Sequence, residues 1–204
     1  MNRRVFSVSW ILCFTLLGAM GCNKNSSSPP TPTPTPTPIP DPPAVMHQLQ
    51  VNHHTAIPIT EAEADQILGD GTNVVQTNNG PGDVPCAVKL QRTGGIGTFP
   101  APRFINSSAD MDAALLLPGQ VQVVDQINWC GGFSPNIIGC ASVPGNSLVV
   151  VRFNPSLEGI LWLHEFGHNK GRNHRNDPNA VMAPSIAATR THVNAAECAA
   201  YVVP

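Results

Sequence analysis

His164-Glu165-Phe166-Gly167-His168-Asn169-Lys170-Gly171-Arg172-Asn173-His174 is the stretch on which the reading of this chain turns. It reads H-E-x-x-H-x-x-G-x-x-H. Each residue of an α-helix advances about 100°, so His164 and His168 lie one turn apart on one face and can reach a single ion. Glu165 follows His164 on the same helix, placed to hold a water on that ion rather than to ligate it. His174 could not join them on a continuous helix. Six residues past His168 it would point roughly 120° away and lie about 9 Å further along the axis. The chain must leave the helix in between, and Gly171 can take the left-handed conformation that ends one. Three neutral imidazoles plus a water make an open tetrahedral zinc site, the catalytic kind.

Chance accounts poorly for this pattern. A bare H-E-x-x-H arises in roughly one chain of this size in a hundred, and the added Gly and third His lower that to about one in 10⁵. The eleven residues resemble the zinc signature of the metzincin metallopeptidases. Asn179-Ala180-Val181-Met182-Ala183-Pro184 looks like the metzincin Met-turn, in which Met182 is a structural thioether floor beneath the metal. The short step from His174 to Met182 and the Met-x-Pro-Ser run ending at Ser185 are most similar to the matrixin-like branch. Arg175 after the third His, and Pro184 two residues past the Met, depart from the residues characteristic of named branches. The only tyrosine, Tyr201, is given no catalytic role.

The first 21 residues read as a secretory signal: Arg3 and Arg4, an apolar run from Val5 to Leu17, then small residues up to Gly21. The run is shorter than the roughly 20 residues a membrane-spanning helix needs. Gly18-Ala19-Met20-Gly21-Cys22 resembles a bacterial lipobox, which makes Cys22 the lipidated residue. Residues 22–44 follow as a stalk, Ser-rich and then with Thr-Pro repeats from Thr31 to Pro38. Such a sequence favours polyproline II, and from Ser26 to Pro43 it spans on the order of 50 Å. Asn23 rather than Asp after the cysteine favours, by resemblance, the outer membrane or cell surface.

Cys86, Cys130, Cys140 and Cys198 remain in the exported part, an even set that points to two disulfides. Three pairings are possible. The favoured one joins Cys130 to Cys140 across a local loop and Cys86 to Cys198, from an early strand to the C-terminal helix. Loss of Arg3 and Arg4 with the signal leaves nine basic residues against 13 acidic ones. That balance gives no footprint for nucleic acid.

Residues 45–204 form one domain, long enough for a substantial core. Met46–Asn52 alternates as a first strand, and Thr60-x-x-Glu63 is a capping box opening a helix to about Val75, with Ala62, Ile67, Leu68 and Val74 or Val75 on its core side. Val84–Gln91 reads as a strand, Ser108–Leu116 as a short helix, and Gln120–Trp129 as a strand alternating around Val121, Val123 and Ile127. Ile137–Val143, with Gly139 inside it, and the β-branched Ser147–Phe153 are two more strands. The helix of the His motif runs from about Leu157 to Lys170, and Asn194 caps a last one to about Val202. This is an α+β order. The metzincin resemblance implies a twisted mixed five-stranded sheet with an antiparallel edge strand, by position Ile137–Val143, then the active-site helix, the Met-turn and a C-terminal helix.

Other residues read as structural. Adjacent His53 and His54 point to opposite faces of a strand, His47 and His192 are surface or packing histidines, and Asp110 and Asp112 belong to a helix start without a calcium-loop signature. The resemblance implies a monomeric zinc-dependent endopeptidase with one Zn²⁺ on His164, His168 and His174, Glu165 as general base, and residues 184–189 walling the cleft. The competing reading is a zinc-containing surface module that binds a protein with little or no turnover. A general base is superfluous to such a module.

Overall fold

A computed structural model describes residues 44–204. The readings of residues 1–43 as signal, lipidated Cys22 and stalk lie outside the described residues, which also contain no helix long and apolar enough to cross a membrane.

The chain enters through β1 (Val45–Leu49) and β2 (Val51–His54), with Gln50 between them. The alternating pattern from 46 to 52 predicts one strand. At Gln50 the backbone instead turns to bond Gln120, and the pairing changes from β3 (Val88–Arg92) to β4 (Gly97–Phe99). Helix α1 (Glu61–Gln76) lies between these halves in sequence and begins at the predicted capping box, with both reciprocal Thr60 and Glu63 bonds present. Its buried stripe is Ala64, Ile67, Leu68, Gly71, Thr72 and Val75, and Ala62 is exposed. Ile67 and Leu68 are thus on the core side as expected, and Ala64 takes the place expected of Ala62.

After β5 (Phe104–Ile105) and α2 (Ser108–Leu115) come β6 (Val121–Val124) and β7 (Gln126–Trp129), separated at Asp125. Then follow β8 (Phe133–Ile137), β9 (Gly139–Ala141), β10 (Leu148–Val151), α3 (Pro155–Asn169) and α4 (Ala195–Tyr201). The main sheet has the order β4-β2-β6-β10-β9. All its pairs are parallel except β9 with β10, so the expected five strands and antiparallel edge are present, with the edge shortened to Gly139–Ala141. A small sheet β5-β7-β8 stands beside it.

Both faces of the central strands are covered. Val121, Val123, Leu148 and Val150 join the core beneath α1 and α3, while Val124, Val149 and Val151 join a second core with Ile105, Met111 and Ile127. Gln122, between Val121 and Val123, is fully buried as well. Its amide donates to the carbonyls of Pro118 and Gly119 at 3.1 and 3.2 Å, which offsets the cost of burying it. The two predicted disulfides are present, Cys86–Cys198 tying the entry to β3 onto α4, and Cys130–Cys140 tying the β7–β8 hairpin onto β9.

Helix α3 starts at Asn154, whose side chain accepts from Ser156 N, with Pro155 in the first turn. Glu158 is buried and takes Arg152 Nε on both oxygens at 2.9 and 3.0 Å, and Arg152 also reaches Glu63 of α1 at 3.1 Å. Removing one partner of such a buried pair costs about 3–5 kcal/mol. Further along, α1 and α3 cross in backbone contact. A Cβ on Gly159 would stand 2.6 Å from Asp70 Cβ and 2.9 Å from Gly71 N, closer than real Cβ atoms come. Replacing Gly159 by Ala therefore forces the helices apart, and the overpacking cost of about 1–3 kcal/mol exceeds the roughly 1 kcal/mol gained in helix propensity. The expected result is a lower midpoint in urea unfolding; a midpoint equal to or above wild type would show that the crossing has slack.

Candidate metal centre

His164 and His168 project from the last two turns of α3, and Gly171 ends the helix with φ +79°. Arg172 N donates to Gly167 O at 2.9 Å and Gly171 N to His168 O at 2.8 Å, the paired bonds of a Schellman cap. The turn sends the chain back so that His174 joins the other two. His168 Nε2 lies 3.1 Å from His164 Nε2 and 3.2 Å from His174 Nε2. Tetrahedral zinc with bonds of about 2.0–2.1 Å needs ligand nitrogens about 3.3 Å apart, so the spacing fits. Among the described residues this is the one group of three or more His, Cys, Asp or Glu drawn this close.

The second nitrogen fixes the tautomer of two of the rings. His164 Nδ1 donates to Val181 O and His168 Nδ1 to Arg172 O, both at 2.7 Å. With Nδ1 carrying the proton, each Nε2 presents a lone pair, and lone pairs at 3.1 Å repel unless a cation lies among them. Burial holds His164 at a pKa of about 4, well below the usual imidazole value, against the opposing pull of its bond to Val181. Burial also lowers His168 and His174. At neutral pH the three rings are thus neutral and ready to ligate.

Glu165 is buried one residue from the first ligand. Desolvation pushes its carboxyl up to about 8, and its Oε2 has no hydrogen-bond partner among the described residues. A buried polar atom without a partner is costly in a purely structural site and suits one that receives a water. Above Glu165 lies β9. The cleft beside them is lined by Ile138, Ala141, Leu161 and Ile186, with Pro184 and Ser185.

Met182 is fully buried, its sulfur packed on Gly167 in the turn that carries both ligands, with Tyr201 Oη 3.6 Å away. Tyr201 is itself fully buried and donates to Leu163 O. Arg175, the departure noted in the sequence, is a brace. Its N donates to Met182 O at 2.7 Å, and its guanidinium bonds His192 O at 3.1 Å and pairs with Asp177 at 3.4 Å and Glu197 at 3.3 Å. Sequence reasoning missed this brace and the two ring-orienting carbonyls, since neither a carbonyl nor a salt bridge leaves a spacing signature. The other histidines stay apart from the site. His47 bonds Tyr201 O and is buried rather than on the surface, and His54 bonds Pro100 O.

The geometry makes all three imidazoles necessary. His174→Ala should leave the fold intact and reduce zinc bound after dialysis from about one ion per chain to little or none, measured by atomic absorption. Full zinc content in that variant would remove His174 from the ligand set.

No protein-family model matches the chain, and no curated protein matches it in sequence. Among solved structures, the crystal structure of archaemetzincin from Methanopyrus kandleri is similar, with a TM-score of 0.48 and 16% identity over 75% of this chain and 93% of that one.

Proposed function

We propose that this chain is a zinc-dependent endopeptidase of metzincin type. The observation that carries the reading is the convergence of three imidazoles on one point, two of them anchored through Nδ1, with the unpartnered Glu165 carboxylate beside them in an open cleft. Zinc bound at that point supplies a Lewis acid and makes a water acidic enough to ionise near neutral pH. The chain's own residues do the rest. Glu165 accepts the proton of the attacking water and delivers it to the scissile nitrogen as the C–N bond breaks. The carbonyls of Val181 and Arg172 keep the rings in the tautomer that ligates. The exposed side of β9 offers backbone groups to an extended peptide, a mode in which main-chain bonds give affinity and alternate side chains give selectivity.

The same reading places the enzyme at a bacterial envelope, carried by a lipid on Cys22 and the Pro-rich stalk. Its support is the signal-like first 21 residues, the lipobox-like run, and two disulfides of the kind that persist outside the reducing cytosol. Membrane fractionation of wild type and Cys22→Ala is the direct test of this part.

Two outcomes test the chemistry. Glu165→Ala should keep its zinc and lose about 10²–10⁴-fold in hydrolysis of a mixed peptide library, since the carboxylate is a base and not a ligand. Equal cleavage by the two forms at matched zinc content removes Glu165 from the role. Zinc retained with no cleavage by either form favours the surface binding module. Among peptides that are cut, mass spectrometry should find aliphatic side chains enriched next to the cut, matching the Ile138, Leu161 and Ile186 walls. Enrichment of acidic or basic side chains there would contradict that assignment.

A further inference from the structure

We infer that Gly139 is a positioning residue for Glu165, and that the edge strand holds the general base in place with bare backbone. The inference rests on Glu165 being the base. A Cβ built on Gly139 would stand 2.8 Å from both Cγ and Cδ of Glu165 and would also overlap Oε1. At such distances one side must move.

The strand is the side that cannot yield. Gly139, Cys140 and Ala141 are all paired with β10, and Val151 N donates to Ile138 O at 2.9 Å just before them. Cys140 is bonded to Cys130, which ties the strand to the β7–β8 hairpin. Its sulfur lies in the second core, on the face opposite Glu165. Alternation along the strand turns Gly139 and Ala141 toward α3, and Ala141 keeps its methyl group there. The missing side chain is therefore particular to position 139, where the carboxylate lies.

The carboxylate, by contrast, has little else to fix it. Its Oε2 has no hydrogen-bond partner among the described residues, so packing sets where that oxygen lies. A methyl group at position 139 would push Glu165 along the cleft and out of reach of the water it must deprotonate. A displacement of about 1 Å in a reacting group costs on the order of 10²-fold in rate.

The test joins kinetics to a stability cycle on the zinc-loaded protein. Gly139→Ala is expected to keep one zinc, hold KM within about twofold and lower kcat about 10- to 100-fold. Thermal unfolding of wild type, Gly139→Ala, Glu165→Ala and the double variant reads the contact without reference to activity. Gly139→Ala should lower Tm in the wild-type background and lose that cost beside Ala at position 165, where Cγ and Cδ are gone. Unchanged kcat, or the same Tm loss in both backgrounds, overturns the inference. If the single variant does not fold, recovery of folded protein in the double variant supports the contact, and failure of both overturns it. A wild type with bound zinc and no hydrolysis ends the positioning role together with the proposed activity, while the Tm cycle still reports separately on the contact.

Discussion

Two imidazole Nδ1–H groups, on His164 and His168, each reach a backbone carbonyl at 2.7 Å, and the arrangement of the site follows from those two bonds. They belong to different pieces of chain. Arg172 O exists in the right place only because Gly171 reverses the backbone just past the helix. Val181 O comes from the Met-turn, seventeen residues beyond His164. Each bond fixes a tautomer, and the two tautomers aim their lone pairs at the point where His174 arrives. Local chain reversal and a distant turn thus act on one electronic variable, the availability of Nε2.

Helix α3 must be rigid for that aim to hold, and its neighbours grip it at several levels. The buried Glu158–Arg152 pair fixes its start to the end of β10 and, through Glu63, to the start of α1. The glycine crossing with α1 allows main chain to meet main chain in the middle. Met182 and Tyr201 close on Gly167 near its end. At the glycines a side-chain layer is replaced by direct approach, and close-packed contacts of this kind transmit displacement instead of absorbing it.

What the sequence made legible was local. The His spacing, the glycine stop and the caps at Thr60 and Asn194 are consequences of helical geometry within a few residues, and the structure reproduces them. The five-stranded sheet with its antiparallel edge came from the family resemblance and not from the residues themselves, and both disulfide pairings match the favoured one. Non-local relations were not legible. Gly139 was visible as a glycine within a strand, a mark of close backbone approach, but which group approaches depends on β9 lying over α3. Gly71 and Gly159 likewise acquire meaning only as a pair. The strands β4 and β5 are too short to show alternation, and Pro135 disguises β8, which as the outer strand of its sheet can carry a proline. The burial of Gln122 is satisfied by three loop carbonyls that no periodicity reveals.

The loop after the Met-turn is closed at its base. Val181 N donates to His192 O and His192 N to Asn179 O, both at 2.9 Å, and Arg175 clamps the same carbonyl. Residues 184–190 hang from this clasp as an almost self-contained segment, while the atoms that orient His164 lie on the anchored side. Mutations in the segment reshape one wall of the cleft without passing through the bonds that keep the metal ligands in order. The shape of that wall and the orientation of His164 are in this sense held by separate parts of the chain, and the clasp is what separates them.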